Sequence, residues 1–212
     1  MKRQSRNPRT RLRRNRPTRE AYDRVLIVTE GKKTEPIYFS ELLKRYRLSN
    51  ANIEVVGEGA DPSTVVRRAL QLKRQERRLG DSYDRVYCVF DRNGHHNFKA
   101  ASDKALQNGL RLARSWPCFE YWLLLHFGYV RKPFVRSGGR SACEKCTQEL
   151  RQHVEAYDKA TYGVFDLLST RLDAAMARAK RAMMDAIATQ EDNPSTEVHQ
   201  LIGYLQKLAE SN

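Results

Sequence analysis

Short apolar runs alternate along this chain with segments whose apolar residues recur at helical spacing. Val25-Leu26-Ile27-Val28-Thr29 is a continuous apolar run, and residues 24–29 read as a first strand. Tyr38, Phe39, Leu42 and Leu43 then mark one face of a helix, with Thr34 placed to cap it and Pro36 in its first turn. Ile53-Glu54-Val55-Val56 predicts a second strand. In Asp61-Pro62-Ser63-Thr64 a capping residue precedes a proline at the first helical position, and Val65, Val66, Ala69, Leu70 and Leu72 supply the buried side that follows. The charged stretch 73–78 belongs in solvent. A third strand is expected over 84–90, a helix over 98–107, a weaker fourth strand over 110–114, and a helix over 118–127. Strand and helix in strict alternation predict an α/β fold: a mostly parallel sheet of about four strands, flanked by helices and joined by right-handed crossovers.

Beyond a loop at 133–140, which contains Gly138 and Gly139, the pattern turns helical. Helices are expected over 142–154 and 172–188. A last one begins near Asn193-Pro194-Ser195-Thr196-Glu197 and continues through Val198, Leu201, Ile202 and Leu205. The expected organisation is a basic arm over 1–20, an α/β core over 21–130 and a helical C-terminal extension over 131–212.

Apolar residues make up 40% of the 212, enough for a packed core. No run approaches the roughly 18 apolar residues of a membrane span, so no membrane association is expected. The formal charge is +14. Residues 1–20 hold nine Lys and Arg against one acid, Glu20, and so carry +8, leaving +6 for the remainder. No apolar stretch follows to make this a secretory signal, and no amphipathic face makes it a mitochondrial presequence. Its charge and two prolines predict a disordered arm. Such an arm, with Arg13 and Arg14 at its centre, either gains affinity for nucleic acid by counterion release or serves as a solubilising tail. The basic remainder favours nucleic acid.

Four cysteines and no signal sequence point to the reducing cytoplasm. Cys88 lies in the third apolar run and reads as core. Cys143-x-x-Cys146, with His153 further on, is half of a zinc motif. Without a second pair it predicts an ordinary reduced helix, and no zinc is expected.

The chemistry concentrates past two of the apolar runs. Glu30 follows the first and Asp91 the third. The carboxyl ends of strands in an open parallel sheet line one crevice, which places the two acids on the same edge. Two carboxylates are the usual protein contribution to a magnesium site, with manganese as its close substitute. In that reading Asp91 holds the metal, and Glu30 shares it or acts as general acid and base. Lys32 and Lys33 would meet phosphate oxygens by charge, and Arg92 could do so bidentately. His95 and His96 are candidates for proton transfer or phosphate contact. The plain alternative is that all of these are strand-end turn residues. His126, set among Trp122, Leu123, Leu124 and Phe127, reads as a structural histidine of the core. The helix face with Arg171, Arg178, Lys180 and Arg181 reads as solvated or as a nucleic-acid contact.

Three segments resemble the RloB family: Val28-Thr29-Glu30-Gly31-Lys32-Lys33-Thr34-Glu35-Pro36, Val89-Phe90-Asp91-Arg92-Asn93-Gly94-His95, and the stretch from Ser115 through Pro117-Cys118-Phe119-Glu120 to Phe127. Asn193-Pro194-Ser195-Thr196-Glu197-Val198-His199 is similar to that family's C-terminal signature, and the resemblance covers roughly residues 22–207. It implies a Toprim-like core, the metal-binding module of topoisomerases, primases and OLD-type nucleases, in proteins associated with restriction-modification and abortive-infection loci. Glu30 then corresponds to the general acid/base or metal-facing glutamate. Asp91 corresponds to the first aspartate of an Asp-x-Asp motif whose second position is here Asn93, an amide oxygen that can ligate magnesium but carries no charge. Glu120, in Pro-Cys-Phe-Glu, is either a third acidic ligand or an acid that orients the helix start. The implied activity is magnesium- or manganese-dependent hydrolysis of RNA, tRNA included, or of DNA, in anti-phage defence. A protein partner encoded in the same locus, such as an ATPase, goes with it. The alternative is a catalytically decayed subunit that binds nucleic acid or a partner. The sequence does not indicate an oligomeric state.

Overall fold

A computed structural model of the chain describes residues 23–48, 53–57, 61–92 and 94–211, with 53–56 described by their backbone. The expected arm, with Arg13 and Arg14, and also Asn93 lie outside the described residues. Strands β1 (Val25–Thr29), β2 (Ile53–Gly57), β3 (Arg85–Asp91) and β4 (Arg111–Trp116) alternate with helices α1 (Thr34–Arg45), α2 (Pro62–Arg78) and α3 (Phe98–Gln107). A short α4 (Glu120–Leu124) follows. Then come α5 (Ala142–Arg151), α6 (Val164–Leu168), a single 3₁₀ turn (Ser169–Arg171), α7 (Leu172–Thr189), strand β5 (Ser195–Thr196) and α8 (Val198–Glu210). The sheet order is β2-β1-β3-β4-β5. The first four strands are parallel and β5 runs antiparallel at the edge. This is the expected mostly parallel α/β sheet.

The continuous apolar runs have a direct cause: both faces of the sheet are covered. Val25 and Ile27 of β1 and Tyr87 and Val89 of β3 point into the larger core, with α1, α4, α5, α7 and α8. Leu26 and Val28 of β1 and Val86, Cys88 and Phe90 of β3 point to the other face, against α2 and α3. Burial pushes the Cys88 thiol up to about 12, as befits an inert core residue. Asp61 caps α2, accepting from the backbone of Ser63 (2.8 Å) and Thr64 (3.2 Å) ahead of Pro62.

Four expectations are corrected. The sheet has a fifth strand, Ser195–Thr196, where a helix was expected to begin. Two residues are too few to show a period, and tertiary contacts create the strand. Ser115 Oγ and Thr196 Oγ1 lie 3.0 Å apart, and Arg114 donates to both carboxylate oxygens of Glu197, at 2.8 and 2.5 Å. Thr34 does not cap α1. Lys33 occupies the cap position, and the Thr34 hydroxyl donates to the Lys159 carbonyl at 2.9 Å. The helix expected over 118–127 is regular only over Glu120–Leu124, because its ends tighten into i→i−3 bonds such as Tyr121 N–H to Cys118 O and Phe127 N–H to Leu124 O. The basic face of α7 is partly committed to the fold. Arg178 donates to the Leu125 carbonyl at 2.7 Å, and Arg171 and Arg181 lie over the rings of Phe127 and Tyr129. His126 is the expected structural histidine: it is buried, its Nδ1 meets the Trp122 carbonyl at 3.1 Å, and burial lowers its pKa to about 4. Among the described residues no helix is long and apolar enough to cross a membrane.

Candidate active site

In the order β2-β1-β3-β4 the chain reverses direction of winding between β1 and β3, which opens a crevice at their carboxyl ends. The register Thr29↔Val89 brings Glu30 and Asp91 to that crevice together. The Glu30 backbone N–H donates to the Val89 carbonyl at 2.9 Å. Its side chain closes the gap: Oε2 accepts the Asp91 N–H at 3.0 Å, and Oε1 lies 2.9 Å from His95 Nε2. Glu30 and Asp91, expected on one edge, thus meet through the Asp91 backbone, and His95, a separate candidate in the sequence, joins Glu30 directly.

Two further acids join them. Glu120, 2% exposed at the start of α4, does not cap that helix, which has no side-chain cap bond. Its Oε1 accepts from the Tyr157 hydroxyl at 3.2 Å and sits 3.7 Å from Lys159 Nζ. Glu35, 5% exposed in the first turn of α1, was not singled out by the sequence, where it reads as an ordinary acid at a helix N-terminus. The Gly31 N–H donates to Glu35 Oε1 at 3.2 Å. A Cβ on Gly31 would stand 2.0 Å from Glu35 Oε2, so glycine is what lets the carboxylate fold back over the loop. Gly57, at the end of β2, plays the matching part from below: a Cβ there would meet the Gly31 carbonyl at 2.7 Å and Lys32 Cα at 2.9 Å. Lys159 was also missed. It lies in a loop between α5 and α6, 125 residues from Thr34, whose hydroxyl holds its carbonyl, and no local pattern marks it.

Together these residues line a cavity of about 550 Å³, with Glu30, Glu35, Asp91 and Glu120 as its acids and Lys32, Lys33, His95 and Lys159 as its bases. Arg92 is not on the lining. Its guanidinium lies over the Trp116 and Phe98 rings, 5.1 and 5.5 Å from their centroids, and donates to the His95 carbonyl at 2.5 Å, bracing the turn that presents His95.

The electrostatics follow from crowding acids out of water. Burial, then the charges of Glu35, Glu120 and Glu30, raise the Asp91 pKa well above the usual carboxylate range. Burial raises Glu35 to about 7. Burial also raises Glu30, against the opposing pull of the Asp91 N–H and His95. The Glu120 carboxylate raises Lys159 and keeps it charged. Asp91, Glu35 and Glu30 therefore resist ionising together, and a cation bound among them would relieve that. The four acids offer hard oxygen donors, the kind magnesium and manganese take.

The other oxygen of Glu120 faces sulfur. Oε2 is 3.8 Å from Cys143 Sγ, and the ligand atoms of Cys118, Glu120 and Cys143 all lie within 4.8 Å of one another, a buried group able to hold a metal. His153, the sequence's partner for the Cys-x-x-Cys pair, instead stacks on Phe127 with 4.7 Å between ring centroids.

The sequence profile of the RloB-like protein family matches residues 25–205, from the first residue of β1 into α8. The chain belongs to the RloB-like family. No curated protein and no solved structure matches it. The RloB-like match spans every acid of the cavity and also Lys159 and the two cysteines grouped with Glu120.

Proposed function

We propose that this RloB-like protein is a metal-dependent nuclease of the Toprim type, hydrolysing phosphodiesters in RNA or DNA in anti-phage defence. One observation carries the reading: four carboxylates from the ends of β1 and β3 and the starts of α1 and α4 converge in one cavity edged by lysines. Asp91, Glu35 and Glu120 would hold Mg²⁺ or Mn²⁺, which when bound supplies Lewis-acid polarisation of the phosphate. Lys32, Lys33 and Lys159, all exposed along the cavity's edge, would take phosphate oxygens as point charges. Glu30 and His95 form a hydrogen-bonded pair able to accept a proton from water and return one to the leaving oxygen. A protein partner from the same locus, such as an ATPase, belongs to this proposal.

Purified protein given Mg²⁺ or Mn²⁺ should cleave tRNA, single-stranded RNA or DNA. Glu30→Gln and Asp91→Ala should each lower the rate by roughly 10²-fold or more. Absence of cleavage on all three, alone and with locus partners, would sink the proposal. Asn93, where the resemblance has an aspartate, favours a second reading as a decayed nucleic-acid-binding or partner-binding subunit. That reading stands if only Asn93→Asp cleaves.

A further inference from the structure

Two of the four cysteines, Cys118 and Cys143, meet at one buried carboxylate, and a third, Cys146, lies on the same buried side of α5 as Cys143. Cys143 and Cys146 lie one turn apart on the buried side of α5, and Cys118 comes from the turn that leads into α4. All three are 6% exposed or less. The Cys118 thiol meets the backbone carbonyl of Cys143 at 3.9 Å. A lone Cys-x-x-Cys carries no expectation of metal; the fold adds a third sulfur and an oxygen.

We propose that Cys118, Cys143 and Oε2 of Glu120 form a site for a thiophilic divalent ion of the zinc type, with Cys146, one turn along α5 from Cys143, turning in as the fourth ligand when the ion binds. The ligands of a tetrahedral zinc, about 2.0–2.3 Å from the metal, stand about 3.5–3.8 Å apart. Cys143 Sγ and Glu120 Oε2 are already 3.8 Å apart, and the Cys118, Glu120 and Cys143 ligand atoms need to close from at most 4.8 Å. Tyr157 and Lys159 hold the opposite oxygen of Glu120 and so fix its orientation, as outer-shell partners of metal ligands do. The plain alternative is three core thiols packed as small apolar groups. It accounts for Oε1, which the cavity, Tyr157 and Lys159 use, but not for Oε2 turned toward sulfur, where burying a carboxylate oxygen costs desolvation. Magnesium shuns sulfur and zinc favours it, so this site and the oxygen-lined cavity would select different ions from one pool. Glu120 would face both, Oε1 toward the cavity and Oε2 toward the sulfurs.

The test uses the full chain, purified reduced and free of chelator, and titrated with Co²⁺ and then Zn²⁺. The expected result is a sulfur-to-cobalt charge-transfer absorption that saturates at one cobalt per chain, apart from any cobalt held by the oxygen-lined cavity, and that zinc abolishes. Cys118→Ser and Cys143→Ser should weaken binding at least about tenfold. Cys88→Ser, in the other core, and Asp91→Asn, in the oxygen site, should leave the absorption intact. Cobalt bound without that absorption, no cobalt bound, or the absorption retained in the Cys118→Ser/Cys143→Ser double variant would each overturn the proposal. The wild-type spectrum decides the matter even if a serine variant fails to fold. None of these readouts depends on nuclease activity.

Discussion

Glu35→Gln should make the metal-free protein more stable at alkaline pH, although it removes a charge-assisted hydrogen bond. Burial raises the Glu35 pKa from its ordinary 4.5 to about 7. A folded-state pKa above the unfolded one means the folded protein binds more protons in that interval. The stability is therefore fully present below about 4.5 and is lost as pH rises through about 7. At about 1.4 kcal/mol per pH unit, ionised Glu35 costs about 3 kcal/mol at pH 8 and about 1 kcal/mol at pH 5. Glutamine keeps the shape, stays neutral and can still accept the Gly31 N–H, so the loss on that bond is about 1 kcal/mol. Relief of desolvation wins: the variant should gain about 2 kcal/mol at pH 8 and almost nothing at pH 5. Urea unfolding of both proteins in chelator at the two pH values measures this directly. A variant no more stable than wild type at pH 8, or a wild type whose stability is flat between pH 5 and 8, would refute the account of the cavity as crowded, desolvated carboxylates. Saturating Mg²⁺ should erase the gain, since a bound cation favours the ionised form.

Other perturbations separate loop, sheet and surface. Gly57→Ala drives a Cβ into the backbone at Gly31 and Lys32 and should cost about 2 kcal/mol in urea unfolding. Gly31→Ala meets only the movable end of Glu35, so its stability should change by less than about 1 kcal/mol while magnesium affinity falls, as read by calorimetric titration. Glu197→Gln breaks the bidentate pair with Arg114 and should cost about 1–3 kcal/mol; an unchanged unfolding midpoint would show that β5 is held by Ser115 and Thr196 instead. Lys32→Ala and Lys33→Ala should each reduce the salt slope of nucleic-acid binding by about one in fluorescence anisotropy, and an unaltered slope would remove them from the binding surface.

The parallel sheet was legible because its cause is local. A strand covered on both faces must be apolar at every position, and β1 and β3 announce themselves for that reason. Asp61 and Pro62 announce α2 in the same way, through backbone groups within one turn. β5 was not legible, since two residues carry no period and their pairing with β4 depends on side chains some 80 residues earlier. The helix over 118–127 was visible as an apolar segment, but the tightening of its ends was not, because each shift concerns only the partner of a single N–H.

The candidate site divides along the same line. Sequence alone determined that Glu30 and Asp91 share the carboxyl edge of the sheet, since strand direction follows from the alternation of strand and helix. Motif resemblance added Glu120. Only the tertiary structure brought in Glu35, held back by a hydrogen bond to Gly31, and Lys159, delivered by a distant loop. It alone joined Cys118 to the Cys-x-x-Cys helix across Glu120 and took His153 away to Phe127. The physical reason is common to all of these. Periodicity reports what a residue must bury, whereas a binding site is made by which distant residues are buried together.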